Sequence, residues 1–228
     1  MALGASFNYL MPYDPSPTSS PTLGQILLWT GLYLSLPLFT IVARWRVKDF
    51  GFTLSSRMLV ASLPLLTICA LLPVGKQVTW NTAIVEAFAR GGEEVFFRGF
   101  LFLVLVKLFA SKSRPWLWAA LVSALLFALV HTQTFQASYF ENASMGRFFL
   151  IVQRLFNVFL VGVVLALVRH WSHSLLPAMM FHAGVQSGIA AMLLTIPLYV
   201  IISLWAYVRG ERLLLDSAPF ARGQVNHR

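Results

Sequence analysis

Two adjacent glutamates, Glu93 and Glu94, stand inside a run, 91–110, that otherwise reads as membrane-spanning, and Arg98 follows one turn later. A carboxylate at the centre of a bilayer helix costs about 2.5–3.5 kcal/mol even on the lenient insertion scale, so a pair of them calls for compensation or chemistry. Glu94 and Arg98 are four apart and share a helix face, and an ion pair that merely neutralises both charges accounts for them. It leaves Glu93, which points about 100° away around the helix, in need of its own partner. Two other apolar runs each carry a histidine. His131 ends the string Phe127-Ala128-Leu129-Val130-His131, and His182 is followed one turn later by Gln186. A single histidine in an apolar helix is commonly just a helix contact. Two of them with an amide and an unpaired glutamate suit amide hydrolysis. Glu93 would take a proton from water, and one imidazole would orient that water or protonate the leaving amine. The other imidazole and the Gln186 amide would donate to a developing oxyanion.

The same Glu93, His131 and His182 would equally hold a divalent metal such as zinc, with a position left for water. The local two-ligand signature H-E-x-x-H is absent, however. A serine mechanism has no Gly-x-Ser-x-Gly elbow to support it. Cys69 is the single cysteine, inside an apolar run with no evident base, and it excludes an intrachain disulfide.

The elements that must carry these side chains follow from composition. Of the 228 residues, 58% are hydrophobic and 11% charged, against about 25% charged in soluble domains. The pattern predicts an all-α, polytopic transmembrane helix bundle of about seven spans. A flexible leader, 1–22, precedes a first transmembrane helix, 23–43. A core over 51–208 holds the spans 58–74, 91–110, 116–131 and 148–168. The apolar run 175–208 would be about 51 Å long as one helix, too long for a single crossing. It is therefore split near 193–195 into two short spans. The stretch 79–90 reads as an interfacial amphipathic helix, and 209–228 as a cytoplasmic tail.

The net charge of +9 does not point to nucleic acid, because the basic residues are scattered between apolar runs. Twelve lysines and arginines fall on one set of connections, in 44–57, 107–114, 169 and 209–228. Only Lys76, Arg90 and Arg147 fall on the other. That bias predicts an N-terminus outside and a C-terminus in the cytoplasm, and the expected location is a prokaryotic plasma membrane. Trp45, Trp80, Trp116 and Trp171 at the run edges fit interfacial anchors.

Glu93-Glu94-x-x-x-Arg98, Phe127-x-x-x-His131 and His182-x-x-x-Gln186, in that order on successive apolar runs, resemble the CPBP family, also called the ABI or CAAX-protease-like family. The flanks Glu-Glu-Val-Phe-Phe-Arg-Gly-Phe-Leu and Ser174-Leu175-Leu176-Pro177 strengthen the match, which covers about 51–186. The resemblance implies an intramembrane endopeptidase acting on a membrane-anchored or lipid-modified protein, by CAAX-like or C-terminal sorting-signal processing. In that family Glu93 and His131 would activate water, with Glu94 and Arg98 bracing the site and Phe127 supporting it. His182 and the i+4 amide would stabilise the oxyanion. The family has been described both as metal-dependent and as glutamate-type, which leaves a divalent metal open. The last motif position is usually Asn, and here it is Gln186, one methylene longer. Two other classes remain as alternatives. A proteolytically silent escort of membrane proteins would be expected to lose at least one of the three key residues. A proton-coupled transporter would be expected to carry an inverted repeat.

Overall fold

The computed structural model describes residues 23–42, 44–71, 79–131 and 145–209. The expected leader, 1–22, and the tail beyond Arg209 lie outside them. Every element among the described residues is helical: α1 (Leu23–Val42), a 3-10 turn (Val47–Phe50), α2 (Ser56–Leu71), α3 (Trp80–Glu94), a π-helical segment (Val95–Leu101), α4 (Phe102–Leu108), α5 (Pro115–Val130), α6 (Met145–Ser172) and α7 (Leu176–Val208). Both α6 and α7 are long and apolar enough to cross a membrane, while α1, α2 and α5 are shorter apolar helices. Large side chains such as Phe148, Phe149, Phe156 and Leu160 lie on the outside of α6, where lipid rather than water would suit them. Pro115 opens α5 at a position whose N–H has no intrahelical partner, and Pro64 is carried within α2.

The expected third span and the expected interfacial helix are one object. Thr79 caps the start of α3, its hydroxyl accepting from Thr82 N at 3.3 Å, and helical backbone then continues to Leu108. That run has 29 residues, and Glu94 is its middle one. Glu93 is therefore not near the start of its helix, as its place in 91–110 suggested, but halfway along about 43 Å of helix. Gly91 stays helical and serves close packing. A Cβ there would meet the Tyr33 hydroxyl of α1, Met179 Cε at 3.0 Å and Leu198 Cδ2 at 3.1 Å. Just past Glu94 the backbone widens into the π segment, in which Phe102 N–H bonds Phe97 O five residues back. The Phe97 carbonyl also accepts from Ser123 Oγ of α5 at 2.9 Å, which ties the widened turn to its neighbour.

Although α7 spans Leu176–Val208, it is two helices joined at a kink rather than a straight rod. Ser174, just before it, bonds through Oγ to Tyr199 Oη at 2.7 Å, whereas 25 residues of straight helix would separate the two by about 37 Å. The chain reverses at Ser187 (φ −136°, ψ 18°) and Gly188 (φ 77°, ψ −171°). The result is a helical hairpin with arms 176–187 and 189–208. Ala183 and Ala191 pack in one cluster across it. The expected break at 193–195 is corrected to this position. Only glycine takes such a backbone conformation readily, while Thr195 continues the helix and bonds Met192 O at 2.7 Å. The first arm is about 18 Å long, short of about 30 Å of hydrocarbon, so it enters the bundle without crossing it.

A lattice of hydrogen bonds closes the end of the bundle from which the hairpin starts. Gly51 O accepts from Leu175 N at 2.9 Å, Ser55 Oγ donates to Ser172 O at 3.0 Å, and Tyr199 Oη donates to Thr53 O at 2.6 Å. Alanine at Gly188 would be strained, at a cost of about 1–3 kcal/mol. Gly188→Ala is expected to lower the thermal unfolding midpoint in detergent clearly. Leu193→Ala, at an exposed position, is expected to change stability by no more than about 0.5 kcal/mol. Equal effects of the two would count against a reversal at Gly188.

Candidate active site

Four helical pieces meet at the middle of the α3–α4 run. Helix α3 supplies Glu86, Arg90, Glu93 and Glu94, the π segment supplies Arg98, and α5 supplies Phe127 and His131 at its end. The first arm of α7 brings His182 and Gln186. Both α5 and this arm stop close to the level of Glu93, on the side away from the hairpin's base.

The inner layer is dry. Glu94 and Arg98 are both 0% exposed, and Arg98 Nη1 donates to Glu94 Oε1 at 3.1 Å. The same oxygen accepts from His182 Nδ1 at 2.8 Å. The guanidinium carbon of Arg98 lies 3.9 Å above the Phe127 ring, a cation–π contact that suits a charge removed from water. Phe127 also meets both imidazoles, with ring centroids 4.3 Å from His131 and 5.6 Å from His182.

Glu93 begins the outer layer. Its Oε2 lies 3.8 Å from His182 Nε2 and 3.9 Å from His131 Nε2. Its Oε1 accepts from Arg90 Nη1 at 2.6 Å, and Arg90 Nε donates in turn to Glu86 Oε2 at 2.9 Å. His131 Nδ1 is 2.8 Å from Phe127 O. A carbonyl and an ionised carboxylate can only accept, so both histidines carry their ring proton on Nδ1. In its neutral form each presents the lone pair of Nε2 to Glu93. Three acceptor atoms thus face one point, all within 4.8 Å of one another. With both imidazoles neutral, the three carboxylates and two guanidiniums of the cluster leave one net negative charge. Such a site can take up a proton from water without building up positive charge.

The donor chemistry also fits a divalent cation. Glu93, His131 and His182 would hold it, and each histidine already has its other nitrogen tied to a carbonyl or a carboxylate, the outer arrangement usual for metal-binding histidines. The ligand atoms, up to 4.8 Å apart, would need to draw closer together for zinc-like bond lengths of about 2.0–2.2 Å.

The structure brings together Glu93, His131 and His182, with Phe127, Glu94 and Arg98 behind them. Gln186 stands one turn beyond His182, half-buried next to the reversal at Ser187. Glu94 does more than brace Arg98, since its Oε1 also holds His182. Arg90 and Glu86 were missed as site residues because 79–90 read as a surface helix. Their spacing with Glu93, at i, i+4 and i+7 with alternating charge, was the available signal.

A family model described as type II CAAX prenyl endopeptidase Rce1-like matches residues 75–188. The matched stretch begins just before α3 and ends at the glycine where the hairpin turns, so it contains every residue of the cluster. No curated protein and no solved structure matches the chain.

Removing one member of a buried charge pair costs about 3–5 kcal/mol, because the other is left uncompensated. Glu94→Ala should therefore lower the unfolding midpoint far more than Glu93→Gln. Glu94→Leu combined with Arg98→Met should recover much of the loss. Thermal unfolding of the purified variants in detergent decides this, and a double variant less stable than Glu94→Ala would contradict the inner pair.

Proposed function

The chain belongs to the Rce1-like type II CAAX prenyl endopeptidase family, and we propose on that premise that it cleaves a membrane-associated or lipid-modified protein with water activated at Glu93 and His131. The observation that carries this reading is the convergence of Glu93 Oε2, His131 Nε2 and His182 Nε2 on one point. Water placed there donates one hydrogen to Glu93 Oε2 and the other to an imidazole Nε2, and its oxygen attacks the scissile carbonyl carbon. The proton taken by Glu93 or His131 passes to the amide nitrogen as the C–N bond breaks, leaving a free carboxylate and a free amine. A His182 that has taken a further proton from solvent on Nε2 is an imidazolium whose charge Glu94 balances. It then donates from Nε2 to the oxyanion together with the Gln186 amide, and Glu93 and His131 alone accept from the attacking water. A divalent ion held by Glu93, His131 and His182 would supply Lewis-acid polarisation of the carbonyl and of the bound water.

The same geometry supports a placement in the membrane. Trp80 and Lys107 are separated by about 40 Å of helix, close to the thickness of a bilayer with its interfaces, and the glutamates lie midway between them. The hairpin-base end carries Lys107 at 4.0 Å over the Trp45 ring and Arg209 at 5.1 Å over Trp205. It also carries Trp116 stacked on His170 at 4.7 Å. Basic residues beside interfacial aromatics support a cytoplasmic position for this end, and we take the membrane to be a prokaryotic plasma membrane. The site then opens away from it, toward substrates with an exported portion such as C-terminal anchor or sorting signals.

Purified protein in liposomes should cleave a prenylated C-terminal peptide or a sorting-signal peptide. Glu93→Gln and His131→Ala should each lose about 10²–10⁴-fold in rate. Cleavage unaffected by Glu93→Gln would sink the mechanism. Chelation separates its two forms: loss restored by zinc assigns the metal form, and full activity assigns the glutamate-only form. For orientation, Val78→Cys and Phe135→Cys in a Cys69→Ser background should each label from the outside of intact cells. Labelling only from the cytoplasmic side would reverse the placement.

A further inference from the structure

We propose that Glu86 and Arg90 clamp Glu93, and that Arg90 is a positioning residue for hydrolysis; the kinetic part of this inference rests on the function proposed above. The three side chains lie on one face of α3. Glu86 is 5% exposed, a buried carboxylate in an apolar bundle with no place in the three sequence motifs. Its Oε2 receives Arg90 Nε at 2.9 Å, which fixes the plane of the guanidinium. Arg90 then delivers Nη1 to Glu93 Oε1 at 2.6 Å. One oxygen of Glu93 is thereby taken, and the other is left aimed at His131 Nε2 and His182 Nε2. Without the clamp, the glutamate side chain could rotate its carboxylate away from both imidazoles.

Charge neutralisation alone is the competing account, and the two differ in what they require of residue 90. Neutralisation needs only a cation. The clamp needs a rigid fork that serves two carboxylates through different nitrogens, as a guanidinium does and a single ammonium does not. Arg90→Lys keeps the charge and loses the fork.

The test compares Arg90→Lys, Arg90→Gln and Glu86→Gln in liposomes with a prenylated C-terminal peptide. A clamp predicts that Arg90→Lys lowers kcat by about tenfold and Arg90→Gln by about a hundredfold, the scale of a small misplacement of a reacting group. KM should stay within about twofold, because the clamp does not hold substrate. Glu86→Gln should lower kcat by a smaller factor, and combined with Arg90→Lys it should do no further harm. Arg90→Lys at wild-type kcat, or effects of Glu86→Gln and Arg90→Lys that multiply, would overturn the clamp.

A second measurement does not depend on cleavage. Arg90→Gln leaves Glu93 without its cation, so it should lower the unfolding midpoint in detergent. Adding Glu93→Gln should restore part of that loss, and no recovery would overturn the pairing. Wild-type protein that cleaves neither peptide would remove the functional premise, and the stability cycle alone would then decide whether Arg90 holds Glu93.

Discussion

A single oxygen, Glu94 Oε1, joins the pieces of this bundle. It accepts from Arg98 in the π segment and from His182 on the hairpin, and Arg98 rests on Phe127 of α5. Neither Glu94 nor Arg98 is tolerable alone in a dry interior, since an uncompensated buried charge costs several kcal/mol. The bundle therefore gains most when all the partners are in place together. The candidate site inherits this demand. His182 is oriented by the same carboxylate that neutralises Arg98, so the inner layer aims the Nε2 that faces Glu93.

Two layers of charge then divide the work. The inner pair is apolar in its surroundings, fully enclosed and linked to three helical segments. The outer group of Glu86, Arg90 and Glu93 is less enclosed and lies wholly on α3. Rigid support beneath a more accessible layer suits the hydrolytic role proposed for Glu93, which needs water to reach a carboxylate that does not drift.

Much of this was legible in the chain. The spacing of Glu93, Glu94 and Arg98 and the two later histidines identified the side chains that the fold gathers, because charged groups in apolar runs are too costly to be incidental. Helices α5 and α6 fall close to where hydropathy put them. Less legible was depth. Counting Glu93 from Gly91 placed it near a helix end, whereas the helix begins at Trp80 and makes it central. Arg90 and Glu86 were hidden by that same boundary. The reversal in α7 escaped hydropathy altogether, since the arms on both sides are equally apolar and only the backbone freedom of Gly188 distinguishes the turn. The π segment leaves no compositional trace, because its widened hydrogen bonds answer to packing against α5.

The hairpin has a consequence for biogenesis. Residues 176–208 contain no Asp, Glu, Lys or Arg, and both flanks, Arg169 before and Arg209 after, belong to the same end of the bundle. The segment can enter the bilayer and fold back without translocating any charged group, a process that needs no energised export of its flanks. His182 therefore arrives on the last part of the chain to be synthesised among the site residues. A nascent chain with α3 and α5 already inserted holds Glu93 and His131 alone, and the cluster is complete only when the late, one-sided insertion of the hairpin adds His182.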